Sequence, residues 1–148
     1  MSVELCRIPD KLSVTKIPDR AHVVLHFRLN KSLSFDDVKT VTQVVVDYAL
    51  TKESPFLLYI QHVGEGDLEF PDMGGMLHIS GRLLEHRDLL RELLMGTCIQ
   101  AQRLGDVFMA AKGLFLNIYQ PIAPFDVVVG DADSLAFREK IVHQFTKR

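Results

Sequence analysis

The run Phe56-Leu57-Leu58-Tyr59-Ile60-Gln61-His62-Val63 restricts the fold more than any other feature of the sequence. Apolar side chains stand at nearly every position over the length of one strand. Such a segment has no face to give to water, so it predicts a central strand covered on both sides, as in a parallel sheet sandwiched by helices. Ser54-Pro55 separates it from what precedes, and Gly64-Glu65-Gly66-Asp67 forms a polar loop after it.

The flanking segments supply the covering layers. From Ala21 to Leu29, Val23, Leu25, Phe27 and Leu29 alternate with His22, Val24, His26 and Arg28, the period-two pattern of a strand with one buried face. Pro18-Asp19-Arg20 makes a turn before it, and Leu12 to Ile17 is the expected hairpin partner. Ser34 and Asp37 form a capping box that opens a helix from Ser34 to about Lys52, with Phe35, Val38, Val41, Val45 and Tyr48 at helical spacing. The β-branched run Val44-Val45-Val46 opposes that helix.

After the central strand, Phe70-Pro71-Asp72-Met73-Gly74-Gly75-Met76-Leu77 leads into one long helix that gathers Leu83, Leu84, Leu90, Leu93 and Leu94 on one side, with Gly96 as its cap. Thr97 to Gln102 predicts a strand with Thr97, Ile99 and Ala101 on one face. Asp106 opens a helix carrying Phe108, Ala111, Phe115 and Ile118 or Tyr119 inward, stopped by Pro121. Pro124 to Gly130 predicts another buried strand, and Asp131 to Ser134 caps a last helix with Leu135, Val142 and Phe145 inward. The resulting order is β-β-α-β-α-β-α-β-α. It predicts one α/β domain over residues 1–148, with a mixed, mostly parallel sheet of about five strands packed by about four helices.

Composition bounds the function. A chain of 148 residues, 47% hydrophobic and 24% charged, can bury roughly two thirds of its unfolded surface in one core. Its net charge of -2 is spread without a basic patch, which argues against nucleic acid or an anionic membrane as partner. Cys6, in an N-terminal arm, and Cys98, in a strand, form no C-x-x-C or Cys/His ligand spacing, so no metal or cofactor is expected. The N-terminus lacks the pattern of a signal peptide and no stretch reaches the length of a membrane span, so a cytoplasmic protein is expected.

The element order and the loop Phe70 to Leu77, set directly after a hydrophobic strand, resemble the STAS domain family, typified by bacterial anti-sigma factor antagonists. In that family the loop carries an Asp-Ser-Ser/Thr-Gly-Leu pattern whose second hydroxyl residue is phosphorylated to release a bound partner. Asp72 stands at the Asp place, Met73 and Gly74 at the hydroxyl places, Gly75 at the Gly place and Met76 at the Leu place. The resemblance thus implies a protein-binding, regulatory role without the phosphorylation switch, because Gly74 has no hydroxyl. The same residues also suit a plain helix cap and tight turn.

Three functions follow as expectations. The first is a non-enzymatic interaction module binding another protein through Asp72, Met73, Gly74, Gly75 and Met76, supported by His78 and Arg82, with Met73 and Met76 as adaptable apolar contacts. The second is a small-ligand or lipid-binding domain, its ligand between the sheet and the helix that starts near Asp72. The third is an enzyme using His62, at the carboxyl end of the central strand, with Glu65 or Asp72 as its carboxylate. His22 and His26 share one face, but in a strand they stand about 13 Å apart, too far for one metal. They are expected on the solvent side of an edge strand or beneath a helix. The exposed edge of the hairpin offers a symmetric dimer contact.

Overall fold

The computed structural model describes residues 1–66, 68–69, 71–103 and 122–148. The expected helix from Asp106 to Pro121, with Phe108, Ala111, Phe115, Ile118 and Tyr119, lies outside the described residues, as do Asp67 and Phe70. Strands β1 (Val3–Ile8), β2 (Leu12–Asp19), β3 (His22–Leu29), β4 (Phe56–His62), β5 (Leu94–Ala101) and β6 (Phe125–Val129) form one sheet in sequence order. The first three strands are antiparallel neighbours, and β3, β4, β5 and β6 run parallel to one another. Helices α1 (Phe35–Thr51), α2 (Met73–Glu85), α3 (Arg87–Leu93) and α4 (Asp131–Thr146) complete the described architecture. The α/β class with a mixed sheet is therefore as expected, with six strands instead of five.

The additional strand is β1, where the sequence suggested a terminal arm. Its addition moves the free edge: β2 is covered, so the hairpin edge expected to be open for a dimer contact is paired within the chain. The outermost strand β1 carries a register irregularity between Glu4 and Cys6, a bulge of the kind that interrupts edge-to-edge pairing.

Alternation along the strands divides the core. Val23, Leu25 and Phe27 of β3 and Leu58 of β4 pack with Val45, Tyr48 and Ala49 of α1. Leu57, Tyr59 and Cys98 turn to the opposite face and meet Ile141 of α4. The central strand is thus covered on both faces, as its unbroken apolar run requires.

Helix α1 begins as the sequence predicts. The Ser34 hydroxyl accepts the Asp37 N–H at 3.1 Å, and the Asp37 carboxylate accepts the Ser34 N–H at 3.0 Å. Lys11 adds an ion pair to the same carboxylate at 2.7 Å, tying the helix start to the β1–β2 turn and holding the Asp37 carboxyl below its usual range. The valine run stays helical because Val45 and Val46 are both buried, and that burial outweighs a propensity cost of a few tenths of a kcal/mol per residue.

Two expectations about the middle of the chain are corrected. The single long helix is two helices, broken at His86, whose backbone leaves helical geometry (φ −114°, ψ 27°). Leu90 is completely buried, whereas Leu84, expected on the same inward side, is exposed. Gly96 caps no helix; it lies inside β5, where a β-carbon would stand 2.8 Å from Ile141 Cγ2. Its missing side chain lets α4 approach the sheet. In α4 itself, Leu135 faces outward, and Ser134 and Ile141 take the inward positions.

Candidate functional site

Three places merit comparison: the start of α2, the carboxyl ends of β3 and β4, and the polar cluster beneath α4. At the first, Asp72 Oδ1 accepts the Gly75 N–H at 2.8 Å and caps α2. The helix start therefore carries its own carboxylate, which opposes a bound anion there. Gly75 is buried against Pro71 and Val38, and a β-carbon on it would stand 3.0 Å from Pro71 Cβ. Met76, expected as a surface contact, turns inward and is buried.

The residues that α2 leaves in solvent are different ones. Met73 is 53%, Leu77 58% and Leu84 53% exposed. Their spacing of four and seven residues places them along one stripe of the helix. Phe35, itself 45% exposed at the start of α1, packs edge-on against His78 of α2, with ring centroids 5.7 Å apart. Arg82 stands on the side of α2 that meets α1, donating to Gln43 at 3.0 Å and pairing with Glu85. Of the predicted residues, Met73 lies on this outward stripe, His78 and Arg82 stand on the side that meets α1, Asp72, Gly74 and Gly75 build the helix start, and Met76 is buried beneath it. Leu77 and Leu84 are the members of the stripe that sequence reasoning missed. Leu77 and Leu84 fit an amphipathic pattern equally well from inside or outside, so periodicity alone does not place them.

At the carboxyl ends of β3 and β4, His62 is buried, and among the described residues its Nδ1 has no hydrogen-bond partner. Desolvation lowers its pKa, disfavouring the charged imidazolium. Acid–base chemistry would require a carboxylate orienting this ring; among the described residues Nδ1 meets none, and Asp72 is engaged as a cap. His62 instead lines a polar cleft with Asn30, Lys31, Ser32, Glu65 and Glu69, in which the Ser32 hydroxyl donates to Glu69 at 2.8 Å. Gly64 closes one side: a β-carbon there would fall 1.9 Å from the Asn30 carbonyl oxygen, so only glycine lets the two loops touch.

Beneath α4, His26 stacks on Tyr59 with centroids 4.6 Å apart and planes 3° from parallel, while the Arg138 guanidinium lies 3.9 Å over the same ring. Tyr59 donates to Gln100, whose amide donates to Asp131 at 2.6 Å, and His26 Nε2 bonds Gln61 at 2.9 Å. These groups satisfy one another. His26 therefore occupies the helix-covered position, since β3 is an interior strand and no edge.

Burial lowers the His26 pKa against a hydrogen bond that the ring donates to Gln61 Oε1, which raises it, and the charges of Arg28 and Arg138 lower it further. With both His26 and His62 held below the ordinary value of 6.5, the unfolded chain takes up protons that the folded chain refuses. Stability is therefore complete above pH 6.5 or so and falls as the pH drops through it toward the folded-state values. Urea denaturation at about pH 7.5 and about pH 5.5 should show that loss, and a His26→Gln/His62→Gln double variant should show a smaller difference between the two. An equal difference in the variant would assign the loss to other groups.

Among the described residues no cluster of three or more His, Cys, Asp or Glu could hold a metal ion, and no helix is long and apolar enough to cross a membrane. Comparison with protein families, curated proteins and solved structures finds no match to this chain. Function is accordingly argued from the molecule's own surfaces.

Proposed function

We propose that this chain is a non-enzymatic interaction module that docks another protein on the outer face of α2. The observation that carries this is the stripe Met73, Leu77 and Leu84, in which three large apolar side chains each keep more than half of their surface in water. Scattered apolar residues are ordinary on a surface, but a row along one helix marks a recognition face. A partner helix with apolar side chains at i, i+4 and i+7 fits such a row. His78 and Arg82 stand on the side of α2 that meets α1.

The resemblance to STAS domains supports the same location, since in that family the start of this helix meets the partner. Gly74 removes the phosphoacceptor, so release of the partner would not run through phosphorylation at this position.

Leu77→Asp and Met73→Asp/Leu77→Asp test the assignment. Because both side chains already face water, their substitution should leave unfolding free energy within about 0.5 kcal/mol of the parent. A partner captured from native extract should bind the double variant at least about tenfold more weakly. Equal capture by parent and variant, or no partner enriched by the parent, would reject the docking face.

A further inference from the structure

We infer that the apolar space between the sheet and the α1–α2 pair is a binding site for a small uncharged amphiphile, with its apolar tail inside and its polar end in the neighbouring cleft. A cavity of about 200 Å³ lies there, beneath the first half of α1 and against the carboxyl-terminal halves of β3, β4 and β5. Leu58, Ile60, Ile99, Val41 and Val45 are among its walls, and among the described residues Glu69 is the only ionisable group along them. The Thr42 hydroxyl on the same wall donates to the Val38 carbonyl at 2.7 Å, so it offers no free proton to a guest.

Size and polarity define the occupant. An apolar cavity of about 150 Å³ stays dry and admits benzene, so this one has room for a bicyclic ring or a medium-length alkyl chain. Leu29, Leu68 and Glu69 also form walls of the polar cleft, so the two spaces adjoin. Among the described residues, the cleft presents Lys31, Glu65 and Glu69, together with Asn30, Ser32 and the buried His62, whose Nδ1 has no partner among them. One cation facing two carboxylates does not favour an anionic head, whereas a hydroxyl or amide can exchange hydrogen bonds with Asn30 and Ser32. Open α/β sheets bind ligands at the carboxyl ends of their strands, which is where these spaces meet.

The test uses the whole chain with 1-octanol and octanoate as probes, followed by methyl NMR. Octanol should shift the methyl signals of Leu58, Ile60 and Ile99 in a saturable manner, and octanoate at neutral pH should bind at least about tenfold more weakly. Val41→Phe and Ile99→Phe each fill part of the cavity, and each should abolish the octanol response while the protein stays folded by circular dichroism. Should one variant fail to fold, the other decides. No saturable shift with octanol, or a shift that persists in a folded filled variant, would overturn the site. Octanoate binding as tightly as octanol would overturn the uncharged head. The α2 surface variants should leave octanol binding unchanged, so failure here and failure of the docking face are separate results.

Discussion

Ile141→Ala is expected to lower the unfolding free energy by about 2–5 kcal/mol, read from the urea midpoint at constant m-value. Ile141 is completely buried between α4 and the sheet, in contact with the cluster of Leu57, Tyr59, Met95 and Cys98. Its three side-chain carbons beyond Cβ press on Gly96, each within 3.0 Å of where a β-carbon would stand. Gly96→Ala should therefore cost about 1–3 kcal/mol by overpacking, because a β-branched isoleucine cannot swing its Cγ2 aside. Combining the two changes gives the decisive measurement. With Ile141 shortened, the new methyl has space, so Gly96→Ala should become nearly neutral and the double variant should be more stable than the sum of the singles. Additive losses would show that Gly96 is needed for some reason other than room for α4.

The second large effect is at Phe56, where β4 begins. Its side chain is completely buried, and its ring meets Tyr48 of α1 edge to face, with centroids 5.2 Å apart and planes at 83°. Tyr48 is itself held by a 2.9 Å hydrogen bond between its hydroxyl and Ser54. Phe56→Ala removes the ring that joins α1 to the sheet and should cost about 3–5 kcal/mol. Tyr48→Phe keeps the ring contact and loses one part-buried hydrogen bond, so it should cost about 1 kcal/mol. If Phe56→Ala cost no more than Tyr48→Phe, the α1–sheet contact would not be the anchor described here. Both can be measured in the same denaturation series as Ile141→Ala.

These predicted losses arise at positions that differ in how visible they were beforehand. Phe56 opens the unbroken apolar run, so its burial was legible. Gly96 read as a helix cap because glycine ends helices often, and its packing role depends on α4, which follows it by more than thirty residues. The candidate surface is a similar mixture. Asp72, Met73, His78 and Arg82 drew attention through the loop and its family resemblance, yet Leu77 and Leu84 supply much of the exposed apolar area. Met76 looked equivalent to Met73 in sequence, yet three residues further along the helix it is turned toward the interior and buried.

By itself the sequence determined what depends on neighbours along the chain: the alternation in β3, the two-sided burial of β4, the Ser34–Asp37 capping box and the α/β order. Such features follow from side-chain period and local hydrogen bonding, which short windows contain. Only the tertiary structure decided that β1 closes the hairpin edge, that the helix breaks at His86, that Gly96 admits Ile141, and that one stripe of α2 and one apolar cavity remain uncovered by the described residues. Each of these is settled by what packs against a segment from elsewhere in the chain. An apolar residue has the same local preferences whether a distant element covers it or leaves it to water.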